Sequence, residues 1–338
     1  MTFARLRRTV LAVLAAGWAG ALGAQTVDVV LTNSLVEPHS IAVDSSGTLY
    51  ITDQGGLSFG GQPAANRVLK FVPTTGLVSS LAGNPTGATG TNDNTTANAG
   101  FTAAFFNPAG IIMARGGLVV ADSGNHTIRY VGFDGVVTNI AGAPTLAALT
   151  DGNGSAARFN APIGLAVDSA GIIYVADSKN NAIRRIDTAN NVTTYAVGFN
   201  QPNGLAVGDN GDLWVADTLN HRIKTVATNG TITTRAGTGI AGSADTYPIA
   251  ATAQLAYPRG VVWMGAAGLL ITDSGNHTTR RLYTNTSINT YTIETSVGAA
   301  GQSGFVNGAT NVARLNSPVG IVADVLNGAF LLADSGNK

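Results

Sequence analysis

The sequence predicts an all-β protein built from repeated sheets, and three observations lead to this prediction. The 338 residues include 43 glycines and 11 prolines, so sharp turns are frequent. The helix formers Glu and Lys are nearly absent, with two Glu and four Lys in the chain. Short apolar segments recur between turns rich in Asp, Asn and Gly. These features exclude coiled coils and helical repeats, and a hydrophobic content of 45% excludes an ordinary disordered chain.

The elements follow from one unit that recurs six times. In the third copy the four strands are expected at 164–168, 173–177, 183–186 and 192–195, with a tight turn at 168–171. Successive copies start 40 to 70 residues apart, and the shortest spacing indicates a core unit of about 40 residues. Each copy begins at a proline: Pro38, Pro108, Pro162, Pro202, Pro258 and Pro318. Four strands per unit at this period predict a six-bladed β-propeller over residues 25–338.

The sixth copy stops early. It supplies a first strand near 319–323 and a second near 329–333, and the sequence ends at Lys338. A lone strand at 27–32, before the first copy, has the position of a fourth strand. Propellers commonly close by such an exchange, because closure removes an exposed sheet edge. A third strand is not accounted for, so we expect an incomplete last blade and a chain that is a fragment of a longer protein.

Residues 1–24 have the layout of a cleaved signal peptide. Arg5, Arg7 and Arg8 form a basic head, an apolar segment follows from residue 10, and small residues at 21–24 precede Gln25. A membrane anchor is the alternative, but a span needs roughly 20 apolar residues. We therefore predict cleavage, no stable membrane insertion, and export to a periplasm or the cell exterior.

Charge and cysteine content limit the possible partners. The formal net charge is zero, and it becomes −3 when the three leader arginines are removed. No basic run is present to neutralise phosphates, which argues against nucleic acid as a partner. The absence of cysteine excludes disulfides, thiolate metal sites and a cysteine nucleophile.

The repeats resemble the NHL repeat family of β-propellers. The resemblance covers nearly all of residues 38–338, and it rests on the Pro-x-Gly start, the Asp-Ser-x-Asn-His turn and the Ile-Arg-Arg that follows. The linker at 151–162 is similar to the linkers of a bacterial subgroup. The resemblance implies a six-bladed binding or scaffold module, although related propellers include lactonases, lyases and esterases.

The polar residues that recur once per blade are expected to be structural, because an active site is rarely built six times. An Asp ends each second strand, where it can accept backbone N–H bonds from the turn. Three His recur in the turns and are expected to pack there rather than to bind a metal. The cation of each third strand is expected to be solvated or paired with Asp. These residues are Asp53, Asp122, Asp177, Asp217, Asp273 and Asp334; His126, His221 and His277; and Lys70, Arg129, Arg184, Lys224 and Arg280. Four linker residues, Phe105, Phe159, Leu255 and Leu315, are expected to wedge between blades.

Positions at which the copies differ are better candidates for a site. The residue after each starting proline faces the predicted channel, and three of the six are polar: His39, Asn203 and Arg259. We predict that they contact an anionic or polyhydroxyl ligand, flanked by Asn107, Tyr257 and Asn316. The resemblance to calcium-dependent lactonases implies that Asn203 would hold a metal together with an Asp, but Arg259 stands at that second position. A cation repels Ca²⁺, so no cofactor is predicted and calcium is kept as an alternative.

The function predicted from the sequence is that of an exported, non-enzymatic module. Its ligand would be a protein, a peptide or a glycan, bound at the face that carries the long linkers. One alternative is a metal-dependent lactonase-like or lyase-like enzyme with its site in the channel. Another is a sensor or scaffold domain of a larger surface protein. The module would be a monomer or part of such a protein.

Overall fold

A computed structural model describes residues 10–15, 26–32, 35–55, 65–84, 86–94, 102–245, 249–286 and 290–337. The described strands belong to six antiparallel sheets. Two strands precede the first repeat: β1 (Val10–Ala15) and β2 (Thr26–Thr32).

Five of the sheets are blades of four consecutive strands. Blade 1 contains β3 (Pro38–Val43), β4 (Leu49–Asp53), β5 (Arg67–Val72) and β6 (Leu77–Ala82). Blade 2 contains β7 (Pro108–Ala114), β8 (Gly117–Asp122), β9 (Thr127–Val131) and β10 (Val137–Ala141). A short strand, β11 (Gly152–Asn153), then joins the outer edge of blade 3, which contains β12 (Pro162–Val167), β13 (Ile173–Asp177), β14 (Ala182–Ile186) and β15 (Asn191–Val197).

The same order continues in the second half of the chain. Blade 4 contains β16 (Pro202–Val207), β17 (Leu213–Asp217), β18 (Arg222–Val226) and β19 (Ile232–Ala236). Blade 5 contains β20 (Pro258–Trp263), β21 (Leu269–Asp273), β22 (Thr278–Asn285) and β23 (Thr290–Val297). The last strands are β24 (Gly308–Ala309), β25 (Pro318–Asp324) and β26 (Ala329–Asp334).

Single-turn 3₁₀ helices complete the secondary structure. Four of them follow the second strands of blades 2 to 5, at Ser123–Asn125, Ser178–Asn180, Thr218–Asn220 and Ser274–Asn276. Three others lie at Gly154–Ala156, Ala250–Thr252 and Gly265–Ala267. Within the described part of the chain, no helix has the length and apolar character that crossing a membrane would require.

The second strand of each blade is buried along its whole length, as in β13 and β17. It lies inside its sheet, and the neighbouring blades cover both of its faces, so β-branched and aromatic residues such as Tyr174 and Val175 pack well there. The four predicted wedges are also buried, which confirms their packing role: Phe105, Phe159, Leu255 and Leu315. Phe159, for example, belongs to the core cluster between blades 2 and 3.

The first strands contact one another in a closed ring, and β25 meets β3 to complete it. The glycine of Pro-x-Gly makes this close approach possible. A Cβ added to Gly164 would lie 1.8 Å from the Asn203 carbonyl oxygen, and equivalent clashes recur from Gly110 round to Gly320. Blade 1 has Ser40 at this position, and there the Thr52 hydroxyl donates to the Ala109 carbonyl at 2.5 Å.

The sixth sheet is assembled from both ends of the chain, in the order β24-β2-β1-β26-β25. The expectation that 27–32 would serve as its fourth strand is confirmed by β2. The expectation of a missing third strand is wrong, because β1 pairs with β26 on one side and with β2 on the other. The apolar segment of the predicted leader therefore supplies that strand in this structure.

Candidate ligand-binding site at the channel mouth

The repeated Asp at the end of each second strand uses its carboxylate for hydrogen bonds within the fold. In blade 3, Asp177 Oδ1 accepts the Asn160 N–H at 2.7 Å, and Oδ2 accepts the Asn180 amide at 2.8 Å. The same two bonds recur in blades 2, 4 and 5, for example at Asp217, whereas Asp53 of blade 1 accepts the N–H bonds of Val36 and Glu37. Burial raises the pKa of Asp177 while these donors lower it. The prediction of a structural role is confirmed, because both oxygens of the carboxylate accept hydrogen bonds from the fold itself.

In blades 2 to 5 the cation of the third strand pairs with this Asp, which confirms the Asp-paired alternative of the prediction. Arg184 is fully buried and donates to Asp177 at 3.0 Å and to the linker residue Asp151 at 2.7 Å. Its guanidinium also lies 5.2 Å from the centre of the Phe159 ring. Blades 2 and 5 repeat this arrangement through Arg129 with Asp122 and Asp93, and through Arg280 with Asp273 and Asp245.

Blades 1 and 4 depart from that arrangement. Lys224 reaches Asp217 at 2.7 Å in blade 4, with no linker carboxylate beside it. In blade 1 the partner of Asp53 is Arg67, at 3.1 Å, and not the predicted Lys70. Arg67 lies directly opposite Asp53 in the strand register, whereas the other cations lie two residues further along. Sequence alignment of the repeats could not show this shift.

The three recurring His join neighbouring blades, as the prediction of a packing role implies. His126, His221 and His277 have left-handed backbones with φ between 52° and 60°. Their Nδ1 atoms accept N–H bonds from the residue just before the next blade's proline: Ala161, Tyr257 and Ser317, at 3.0, 3.2 and 3.0 Å. Asn66 and Asn181 do the same through their side-chain oxygens. Asn tolerates the left-handed region, which explains why it replaces His.

A cavity of about 200 Å³ lies on the axis, between the six first strands. His39 and Asn203 line it, together with the glycine ring and aliphatic residues such as Ile111 and Leu205. The starts of the first strands and the ends of the second strands lie at one end of the disc, since Pro162 pairs with Asp177 and the other blades repeat that pairing. We call this end the linker face, and the ring formed by the residues after the prolines the channel mouth.

The predicted residues His39 and Arg259 influence each other at the channel mouth. Burial and the Arg259 charge lower the pKa of His39 to about 4, against a smaller opposing effect of a hydrogen bond to the Ala109 backbone. His39 is therefore neutral at pH 7. Its Nδ1 atom and the Nε of Arg259 are both buried without a hydrogen-bond partner. Burial lowers the pKa of Arg259, and Glu37 acts in the opposite direction.

Glu37 was not among the predicted site residues. It is one of only two Glu in the chain and immediately precedes Pro38, and those two features of the sequence could have indicated a place near the channel mouth. Asn203, by contrast, was predicted and lines the cavity with no hydrogen bond to another described residue. The channel mouth thus combines one arginine, one neutral imidazole and one amide, and Glu37 lies one residue before Pro38. His39 and Asn203 line the cavity, whereas Arg259 does not line it and directly precedes the lining residue Gly260.

The three predicted flanking residues lie in the links before first strands and do not line the cavity. The N–H of Asn107 donates to Asn66, and that of Asn316 donates to Asp334. The side-chain amide of Asn316 also donates a hydrogen bond to the Gly336 carbonyl at 2.6 Å. Tyr257 is 45% exposed and packs edge-on against His221, with ring centres 4.6 Å apart. A ligand contact of these three stays a prediction.

The mouth does not fit a calcium ion. Within the ranges that the structure describes, no three His, Asp or Glu side chains are grouped so that they could hold a metal. Arg259 brings a positive charge to the channel mouth, which repels a cation, and Ca²⁺ needs six to eight oxygen ligands.

These features define the class of protein: a β-propeller whose blades are closed around an axial cavity with a polar mouth. The NHL repeat model matches residues 159–186 and 199–225, in blades 3 and 4. The chain is therefore a β-propeller that contains NHL repeats in blades 3 and 4. Chicken NHL repeat-containing protein 2 is 38% identical over 81 residues, which is 24% of this chain and 11% of the relative. The human protein of that name is 42% identical over 80 residues, 23% of this chain and 11% of the relative. The chain therefore aligns with about a tenth of the length of these curated relatives.

Solved structures share the fold at low sequence identity. An auxiliary nutrient binding protein from Bacteroides thetaiotaomicron superposes with a TM-score of 0.65 and 14% identity, over 98% of this chain and 75% of that one. A gluconolactonase from Xanthomonas campestris gives a TM-score of 0.60 at 14% identity, over 96% and 93%. Virginiamycin B lyase from Staphylococcus aureus gives 0.54 at 16%, over 98% and 97%. At these identities the similarity shows the fold alone.

Proposed function

We propose that the chain is an exported binding module that holds its ligand at the linker face, over the channel mouth. One observation carries this proposal. The recurring Asp and His are used to hold the strands and blades together. By contrast, the Nε of Arg259 and the Nδ1 of His39 are buried without a partner among the described residues, and Asn203 lines the cavity beside them. Unpaired polar groups at a cavity are costly unless a ligand or water satisfies them.

The surroundings of the mouth support a ligand larger than the cavity. Apolar side chains between 37% and 66% exposed lie in the linkers and turns of this face: Phe106, Leu146, Leu149, Leu219, Ile240, Ile249, Tyr257, Phe305, Val306 and Val312. Exposed apolar residues grouped on one face are typical of interaction sites. A protein, a peptide or a glycan would therefore contact these linkers while an anchoring group enters the mouth. Nutrient binding by the similar Bacteroides structure also supports a binding role.

A lactonase-like or lyase-like activity has the support of fold neighbours only. No feature of the mouth favours it, because Arg259 stands where the resemblance to lactonases requires an acidic ligand. We therefore propose binding and not catalysis.

The binding proposal is tested by thermal-shift screening of the full chain against small metabolites, peptides and oligosaccharides. A ligand present at 100 times its Kd adds about 2.7 kcal/mol to the free energy of unfolding. We expect hits whose shift disappears in the triple variant H39A/N203A/R259Q. The matched control is R185Q, which removes an arginine from β14, away from the axis. Hits that shift the triple variant and the wild type equally would contradict the proposal.

Export is tested separately, by mass spectrometry of the protein recovered from a secreting host. We expect Gln25 as the first residue. Cleavage would remove β1, so β2 and β26 would lose the strand that joins them. A mature protein that retains residues 10–15 would contradict export through a cleaved leader.

A further inference from the structure

We propose that the channel mouth binds a small monocarboxylate that carries a hydroxyl group next to the carboxylate. Arg259 pairs with the carboxylate, Asn203 donates to it, and the His39 Nδ1 atom accepts the hydroxyl hydrogen. This inference rests on the proposed function, because it names the chemical class that enters the same site.

The charge of the ligand follows from Arg259. Its guanidinium is partly buried and makes no hydrogen bond or ion pair with any described residue. The Nε of Arg184 also lacks a partner, but both of its Nη atoms are used, in four bonds. A desolvated cation without a partner is strongly unfavourable, so an anion is the expected occupant. The site supplies one cation, and the nearby Glu37 already interacts with it. A dianion such as phosphate would be repelled by Glu37, which favours a single negative charge.

The hydroxyl group follows from His39. The imidazole is neutral and is hydrogen-bonded to the Ala109 backbone. Its buried Nδ1 atom therefore has a lone pair that accepts no hydrogen bond from a described residue. A neutral imidazole has one donor and one acceptor nitrogen. A carboxylate alone would face that lone pair with another acceptor, whereas a neighbouring hydroxyl would donate to it. The ligand therefore needs a donor beside its charge.

The size of the ligand follows from the cavity. A cavity of about 150 Å³ in another protein holds a benzene molecule, and this one measures about 200 Å³. It therefore suits about six to eight non-hydrogen atoms. Below the mouth its walls include Ile111, Leu165, Leu205 and Val261, which accommodate a short aliphatic group. A short 2-hydroxy acid matches the charge, the donor and the volume.

Titration calorimetry of the full chain with lactate, propionate and lactamide tests this proposal. Lactate has both recognised groups, propionate lacks the hydroxyl, and lactamide lacks the charge. We expect lactate to bind at least tenfold more tightly than lactamide and severalfold more tightly than propionate, since a hydrogen bond to a charged group contributes about tenfold or more. E37Q is expected to tighten lactate binding severalfold by removing the competing acid.

Variants at Arg259 and His39 separate the roles of these two residues. R259Q is expected to weaken lactate and propionate at least tenfold and to leave lactamide unchanged, whereas R259K retains the preference for charge. H39F is expected to abolish the preference for lactate over propionate. R185Q, as the matched control, should bind all three ligands as the wild type does. Melting temperatures within a few degrees of the wild type show that each variant is folded.

Three results would overturn the ligand class: no saturable binding of lactate, equal binding of lactate and lactamide, or unchanged lactate binding by folded R259Q. Failure of the ligand class is distinguishable from failure of the binding proposal. If other library ligands still depend on the mouth residues, only the ligand class is wrong. If nothing depends on them, both proposals fail.

Discussion

Blade 3 and the sixth sheet contain the same turn but differ in what faces its carboxylate. In blade 3, Arg184 lies opposite Val175 in the strand register and forms an ion pair with Asp177. We call Arg184 with its two carboxylate partners, Asp177 and Asp151, the blade 3 clamp. In the sixth sheet the corresponding register position, opposite Leu332, belongs to Ala12 of β1. Among the side chains and links that the structure describes, the buried Asp334 carboxylate has Asn316 and Asn337 as partners, and burial raises its pKa to about 7. Burial raises the pKa of the repeated Asp in both regions, and in blade 3 the third-strand cation opposes that rise, whereas no cation does so at Asp334.

The largest expected effect comes from making blade 3 resemble the sixth sheet. R184A leaves Asp177 buried without a cation and removes the partner of Asp151, so we expect a loss of about 3–5 kcal/mol in the free energy of unfolding. Urea unfolding measures this loss. R185A, on the same strand, is the control and should change stability by less than about 0.5 kcal/mol. A loss below about 1 kcal/mol for R184A would show that the clamp is not what distinguishes the two regions.

The second effect is a pH dependence that is expected to be larger in the sixth sheet than in the blades, since the pKa of Asp122 in blade 2 is raised less, to about 6. The pKa of Asp334 is about 7 in the folded chain against 3.8 ordinarily, so the folded state keeps a proton that the unfolded state has lost between these values. Stability relative to D334N should therefore fall as pH rises from about 4 to about 7 and change little above, by at most about 4 kcal/mol. Urea unfolding at several pH values measures the difference. D177N is the comparison variant: it should be destabilised at pH 7, because Arg184 loses its buried acceptor. If D334N and D177N changed the free energy of unfolding in the same direction at pH 8, the proposed difference between the sixth sheet and blade 3 would be contradicted.

A smaller effect is expected at the joints between blades. His277 links blade 5 to the sixth sheet, and Asn181 links blade 3 to blade 4 by an equivalent bond. H277A should cost about 1 kcal/mol through the lost hydrogen bond. H277N should change stability by less than about 0.5 kcal/mol, since Asn makes this bond elsewhere and tolerates a left-handed backbone. Thermal unfolding compares the two, and equal losses would show that the imidazole has a role besides this bond.

The smallest effect is expected at the outer carboxylate of the blade 3 clamp. The Asp151 side chain is 51% exposed, in contrast to the fully buried Asp177. D151N should cost about 0.5–1 kcal/mol, and less at high salt, because water and ions screen exposed pairs. Unfolding in low and high salt checks this. A loss as large as that of D177N would mean that both carboxylates contribute equally.

Much of the fold was predictable because each repeat carries its own strand and turn signals. The four strands of blade 3 and the inter-blade wedge Phe159 were predicted from apolar alternation and turn residues, and the structure confirms them. Two features were not predictable in this way. Arg67 replaces Lys70 because the pairing register of β5 decides which cation reaches Asp53. The linker residues Asp93, Asp151 and Asp245 meet buried arginines only once the linkers fold back on their blades.

The candidate site was predictable in part. His39, Asn203 and Arg259 stood out because they break the repeat at one position, and the closed ring then brings that position to the axis. Glu37 was missed, because nothing local indicates that it interacts with a residue more than two hundred positions away. The protonation state of His39 was not predictable from the sequence either, since its pKa depends on burial and on the charge of Arg259.

The sequence by itself determined that this is a repetitive all-β chain, where each blade starts, and which polar residues recur as turn chemistry. Local hydrogen bonding and strand alternation act within about 40 residues, so a single copy already contains that information. Only the tertiary structure decided how the ring closes, which strand completes the sixth sheet, and which polar groups remain unpaired at the channel mouth. Those outcomes depend on contacts between distant copies, and ring closure alone brings the distant copies together.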